Sequence, residues 1–518
     1  MKKKFALISV SLIGAACIGL CACSADYDGW GGEGGWSGDS AVGDPSYGEG
    51  DGANNGNYDY NPIIENGFKN TDKEASSYFS LDRNTATYSL VRRQINLNRT
   101  IAPDSVRIEE MINYFGYDFT PPTDKAVAVS SYLAPCPWNE ENYLMLAGVK
   151  TSEYNLTADA CNYVFLIDVS GSMSGSDRIG LAKKGIEKLV DNLGDNDVVS
   201  LVTYANGVNT VFTGKECTES NKSSIKEAVN GLRASGGTNG GDGLKRAYEA
   251  AERHYISDGN NRVILISDGD FNVGMSSQDQ LKEFIQDKAE KSGVYLSVLG
   301  VGLGNTRDSI LETLATCGNG NYAYLDNELE AEKVLVNELN GTLKTVAKDA
   351  KASVTFNTEA VEKYRLIGYD TKILTEDEFN DSKTDAGEIG SNLCVAALYE
   401  IKLASFGLAG VEGADAKLAD IEIKYKDVRT NVELNDSVKS EVYLKASYDY
   451  NDDFKFISCV AEFGLILRQS AYRGDAKFES IIARLDGLSN YTNSDPLKKE
   501  FVELVGTASD NPKYTPSK

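Results

Sequence analysis

Apolar positions along the chain follow two different patterns, and the change of pattern divides the sequence. Between residues 161 and 349, short apolar runs at 163–168, 198–204, 262–267 and 294–301 have the length and richness of buried strands. Between and after them lie stretches with apolar residues at helical spacing: "RIGLAKKGIEKLVDNL", "NKSSIKEAVNGL", "GLKRAYEAAERHY", "SSQDQLKEFIQDKAEKSG", "TRDSILETLATCG" and "ELEAEKVLVNELNGTLKTVAKDA". This alternation predicts a doubly wound α/β domain with a mainly parallel sheet. Residues 62–160 carry a strand-or-helix signal, "ATYSLVRRQINLNRT", and a helix in "APDSVRIEEMINYFGYDF" with Asp104 as N-cap. Two strands follow, "AVAVSSYLAP" and "NYLMLAGVK". Residues 350–450 alternate with the period of strands, and residues 451–518 return to helical spacing. The first strand segment is too small to stand alone, because a stable sheet needs three or more strands and a packed face. The two strand segments are therefore expected to share one β-rich domain, with the α/β domain inserted between them.

The N-terminus changes the picture by placing the chain. Lys2, Lys3 and Lys4 precede "FALISVSLIGAACIGL" and then "CAC". A basic segment, an apolar segment and small residues before a cysteine form an export signal over residues 1–22. Leu20-Cys21-Ala22-Cys23 resembles a bacterial lipobox, which implies cleavage before Cys23 and lipid on its sulfur. Residues 23–61 are rich in Gly, Asp, Ser and Tyr and contain no Lys or Arg. Such a stretch buries too little to offset its ordering entropy, and reads as an acidic tether reaching about 35 Å. The expected location is extracytoplasmic, on the cell membrane of a bacterium. A formal charge of −25 excludes nucleic acid as a partner.

Chemistry is narrowed by what is scarce. His254 is the single histidine of the chain, and it sits near the end of a predicted helix, where a surface role is expected. Beyond Cys23 there are six cysteines, Cys136, Cys161, Cys217, Cys317, Cys394 and Cys459, with no CxxC pair. They read as buried apolar fillers rather than as a metal cluster or disulfide framework. The informative stretch is "NYVFLIDVSGSMSGSDRIG", where a core strand ends in Asp168, Ser170 and Ser172. Thr238 in "ASGGTNGGDGL" and Asp268 after the strand "RVILI" belong to two further loops. Ligands of open α/β sheets sit beyond the carboxyl ends of the strands, where these loops lie. Oxygen ligands that are mostly uncharged suit a hard cation, Mg²⁺ first and Mn²⁺ or Ca²⁺ next.

Asp168, Ser170, Ser172, Thr238 and Asp268 together resemble the metal-ion-dependent adhesion site of von Willebrand factor type A (VWA) domains. The resemblance implies that the serines and the threonine bind the metal directly, with the aspartates often acting through water. Segments outside the α/β domain, "PDSVRIEEMINYF", "YRLIGYD" and "VAEFGLILRQSAYRG", resemble bacterial VWA lipoproteins of the YfbK type. The expected function is a membrane-anchored binding protein, not an enzyme, whose metal accepts an Asp or Glu carboxylate from a protein partner. One alternative is an envelope scaffold with a stabilising metal. Another is a Mg²⁺-assisted hydrolase or phosphatase with Asp270 as base, although the DxD of aspartyl-phosphatases is absent at that turn. No nucleotide is expected, since export removes access to ATP.

Overall fold

The computed structural model describes residues 62–514 except 82, 154–159, 239, 258, 270–277, 303–307, 339–344, 405–415, 430–433 and 445–449. The expected signal, the tether, Cys23 and Asp270 lie outside the described residues. Ahead of the α/β segment run β1 (Lys69–Asn70), β2 (Ser76–Ser80), β3 (Val127–Pro135) and β4 (Tyr143–Thr151). Within it are β5 (Cys161–Asp168), β6 (Val198–Tyr204), β7 (Val208–Glu216), β8 (Asn260–Ser267), β9 (Val294–Val301) and β10 (Tyr322–Leu325). After it come β11 (Thr345–Phe356), β12 (Val361–Ile367), β13 (Gly387–Gly390), β14 (Cys394–Leu403), β15 (Ala416–Asp427) and β16 (Leu434–Leu444).

The inserted sheet has the order β10-β9-β8-β5-β6-β7, parallel except for β7. Its central strand shows why both faces are covered. Tyr163, Phe165 and Ile167 pack on one side with helices Ile179–Asn192 and Glu219–Gly231. Val164 and Leu166 pack on the other with helices Gly240–Arg253 and Gln278–Ser292. A strand buried on both faces must be apolar at every position, as "YVFLI" is. The edge strand β7 was not legible in this way, because much of "VNTVFTGKE" is exposed.

The flanking segments build one β-rich body of two sheets and a helical layer. The first sheet runs β1-β12-β14-β4-β3, so β14 lies between β12 and a strand from before the insertion. The second contains β13-β11-β15-β16, with β2 paired to β11. β14 alternates with period 2. Val395, Ala397, Tyr399 and Ile401 face the core shared with the second sheet. Cys394, Ala396 and Leu398 face the helical layer, where helix Asp452–Leu467 is buried nearly all round. Leu146 and Leu398 are register partners and wholly buried, each contributing about 2 kcal/mol.

Two local expectations are corrected. Asp104 caps no long helix: Pro103–Ser105 forms a 3-10 turn and the helix Ile108–Ile112 begins after Arg107. The Asp104 carboxylate instead accepts Ile63 N at 3.0 Å. The stretch 328–350 is not one helix. It is helical over Glu328–Glu332, widens to a π-helix over Lys333–Glu338, and is strand β11 from Thr345. Strand pairing with β13 and β15 overrides the helical spacing there. Of the six cysteines beyond Cys23, four are buried, as expected of apolar fillers, while Cys161 and Cys317 are half-buried.

A buried ionic cluster joins three regions that are remote in sequence. Arg92, on helix Ala86–Asn96, is fully buried. It donates to Asp326 (2.8 Å) and Glu330 (2.7 Å) at the end of the inserted domain, and to Tyr114 (3.0 Å). It also reaches Glu500 of helix Pro496–Ser509 at 3.3 Å. Beside it, Arg83 pairs with Glu338 at 2.8 Å. Burial alone would raise the Glu338 carboxyl, yet Lys333 and Arg83 hold it at about 2.

Two outcomes follow from this assembly. A fragment of residues 350–518, lacking β3 and β4, should show no cooperative thermal transition by circular dichroism, and a sharp melt would refute the dependence on those strands. Arg92→Met should lower stability in urea denaturation by about 3–5 kcal/mol, because it leaves the buried Asp326 carboxylate without its cation and Glu330 with only Lys333 at 3.8 Å. A loss below about 1 kcal/mol, the scale of a surface pair, would show that the cluster is not a structural link.

Candidate functional site

Three adjacent strands, β8, β5 and β6, end together and carry the expected site on their carboxyl ends. Asp168 is the last residue of β5 and is fully buried. Its register partner on β6 is Tyr204, and Ser267 ends β8 beside it. The chain then turns through a 3-10 segment, Gly171–Met173. Just before that turn Ser170 N donates to Asp168 Oδ1 at 2.8 Å, and the Ser170 and Ser172 hydroxyls lie 3.0 Å apart. Ser267 Oγ donates to Asp168 Oδ2 at 3.3 Å.

Main-chain bonds fix a second loop against the first. Gly171 N donates to Gly236 O at 2.9 Å, and Ser235 N donates to Val169 O at 2.7 Å. Asn206, after β6, accepts Gly237 N at 2.6 Å. Gly236 has φ +88°, and a Cβ there would stand 2.8 Å from Asn206 Nδ2, so the position requires glycine. Thr238, half-buried, follows two residues later and precedes the helix that starts at Gly240. The bonds that hold its loop beside the Asp168 turn are those of Ser235 and Gly236 to Val169 and Gly171. Asp268 directly follows β8 and is only 9% exposed, yet its Oδ1 is buried with no hydrogen-bond partner.

The electrostatics favour a cation. Burial pushes the Asp168 carboxyl above its usual range; the bonds from Ser170 oppose this, and the charge of Asp268 adds to it. Two neighbouring carboxylates, one with an orphaned oxygen, and two adjacent hydroxyls form a donor set suited to a hard dication. Among the described residues no group of three or more His, Cys, Asp or Glu side chains is placed to hold a metal. A site built from two carboxylates and hydroxyls is of a different composition. The fit to a metal rests on the Asp268 oxygen.

Sequence reasoning missed Tyr204, Ser267 and Asn206. The signal available was position: Tyr204 closes the strand "LVTY" and Ser267 immediately precedes Asp268. His254 stands past the far end of the 14-residue helix Gly240–Arg253, about 21 Å from its start. It is half-buried rather than on the surface. It packs so closely on Gly214 that a Cβ there would lie 2.1 Å from its ring.

Comparison with known families agrees with this architecture. Residues 162–338 match the model described as "von Willebrand factor type A domain", and residues 54–146 match one described as "von Willebrand factor". Residues 341–510 match "Uncharacterized protein YfbK, C-terminal". The chain is 34% identical over 487 residues to YfbK of Escherichia coli K12, covering 88% of this chain and 82% of that protein. It is 30% identical over 165 residues to inter-alpha-trypsin inhibitor heavy chain H3 of Mesocricetus auratus, covering 31% of this chain and 18% of that one. A solved VWA protein from Catenulispora acidiphila aligns over 74% of this chain and 89% of its own, at 15% identity and a TM-score of 0.37. The length and identity of the match to YfbK, together with a VWA domain inserted in a β-rich body, establish that the chain belongs to the YfbK family of VWA-domain proteins.

Proposed function

We propose that this protein binds a protein partner through a metal-ion-dependent adhesion site in its VWA domain and is not an enzyme. The observation that carries the reading is the buried, unpartnered Oδ1 of Asp268 beside Asp168, Ser170 and Ser172. Asp168, Ser170, Ser172, Thr238 and Asp268 would hold Mg²⁺, or Mn²⁺ or Ca²⁺ in its place. When bound, a dication held largely by neutral hydroxyls stays electrophilic enough to accept a carboxylate as a charge-assisted ligand. The chain's own contribution is placement. β5 and β8 fix the carboxylates, the 3-10 turn aligns the two serines, and the Gly236 turn brings the threonine loop alongside. Surface around these loops would supply most of the affinity and the choice of partner.

The export signal and lipobox resemblance support placing this site outside the cytoplasm, anchored by lipid on Cys23. Among the described residues no helix is long and apolar enough to cross a membrane.

The full chain in mild detergent should bind Mn²⁺ weakly and saturably, read by electron paramagnetic resonance. Asp168→Ala should abolish that binding with an unchanged circular dichroism spectrum, and Thr238→Ala should weaken it without removing it. Capture of envelope proteins by the immobilised chain should be lost both in chelator and in Asp168→Ala. Equal capture by both proteins in chelator would overturn the adhesion reading. Cys23→Ser should eliminate labelling by radioactive palmitate in cells, and unchanged labelling would refute the anchor.

A further inference from the structure

A second candidate site lies on the β-rich body, remote in sequence from the VWA loops, where β11, β15 and β16 meet helix Glu376–Asn380. A concavity of about 400 Å³ opens there, and Lys351, Lys424 and Lys426 line it. Their arrangement is unfavourable by itself. Lys351 and Lys424 are direct cross-strand partners in an antiparallel pair, and Lys348 is opposite Lys426. Like charges placed directly opposite destabilise a sheet.

The backbone is specially shaped at this point. β11 changes register against β15 between Lys348 and Lys351, and Asp349 within that bulge has φ +51°. Bulges re-aim side chains, and left-handed conformations outside glycine are uncommon. Across the bulge Lys348 and Lys351, three residues apart, stand opposite Lys426 and Lys424, only two apart, and Asp349 lines the concavity beside Lys351. Asp349 pairs with Lys426 at 2.5 Å and so answers that ammonium. Lys351 and Lys424 are held by neutral groups instead. Lys351 is 3% exposed and donates to the main-chain oxygens of Glu378 (3.1 Å) and Asp381 (2.5 Å). Lys424 donates to Asn380 Oδ1 at 2.7 Å and lies 4.3 Å from the centre of the Phe379 ring. Asp436, on β16, also lines the concavity and already accepts Lys125 (2.9 Å) and Tyr425 (3.0 Å). Burial, with the neighbouring Lys424 and Lys426 charges, holds the Lys351 ammonium below its usual range against the pull of Asp349 and Asp381.

Two apposed ammonium groups with neutral partners, in a chain of formal charge −25, constitute a positive hollow that an anion would relieve. The rest of the lining consists of hydrogen-bonding groups, among them Ser382, Asn435 and Ser437. Amides and hydroxyls around a cationic pair suit a ligand with both an anionic group and several hydroxyls. We propose that this hollow binds a small polyhydroxylated anion, a sugar acid or sugar phosphate, with Lys351 and Lys424 on its charged group.

The test is calorimetric titration of the full chain in mild detergent with glucuronate, glucose 6-phosphate and glucose. At least one of the two anions should bind saturably, with glucose about tenfold weaker or more. The preferred anion identifies carboxylate or phosphate as the recognised group. Lys424→Met should weaken that anion by about tenfold or more, while Lys424→Arg, which keeps the charge, should retain binding and so separate lost recognition from lost folding. Asp168→Ala should leave it unchanged, which keeps this site distinct from the VWA loops. Failure of both anions to saturate, glucose binding as well as they do, or wild-type affinity in Lys424→Met would overturn the proposal.

Discussion

The antiparallel pairing of β4 with β14 is the constraint on which the rest of the structure depends. Eight register pairs, from Cys394↔Lys150 to Ile401↔Tyr143, join strands that are separated in sequence by the whole VWA domain. This pairing builds one sheet from both sides of the insertion, while β11, which leads out of the insertion, pairs in the second sheet. Because β14 is buried on both faces, slipping it by one residue would turn Tyr399 and Ile401 out of one core and Leu398 out of the other. The register is fixed from both sides.

Arg92 acts on the same geometry by a different force. The VWA domain leaves its last parallel strand at Leu325, and Asp326 and Glu330 immediately meet a guanidinium from the N-terminal helix. A buried cation with several carboxylates and a tyrosine hydroxyl recovers its desolvation cost only if each bond is made, so the cluster is sensitive to orientation. Apolar packing joins the layers of the β-rich body, whereas directional bonds secure the exit of the inserted domain. The candidate-site loop after β5 is joined to the Ser235–Gly236 loop by short main-chain bonds within the VWA domain itself. Their geometry is thus local, while the placement of the domain is a property of the whole chain.

The two candidate sites use opposite electrostatics. At the strand ends, neighbouring carboxylates and an orphaned oxygen favour a cation. In the hollow over β11, apposed lysines favour an anion. Each is a place where the fold tolerates like charges that it would gain stability by separating. Such local conflict between sequence and stability is characteristic of binding sites.

Residue types and periods alone determined the core strands of the VWA domain, most of its helices and the carboxylate and hydroxyl residues at the strand ends. These are local signals: an apolar run or a helical period has the same meaning wherever the segment lies. The need for β3 and β4 to find partners beyond the insertion was also legible, since a two-stranded segment is too small to be stable. Tertiary structure decided the remainder. β7 is an exposed edge and leaves little apolar signature, and residues 345–350 have helical spacing that strand pairing overrides. Arg92 gives no sign in the sequence of meeting Asp326 and Glu500, and Lys351 gives none of facing Lys424. Those contacts join positions tens to hundreds of residues apart, and only the register of a folded sheet or the docking of a distant helix brings such charges together.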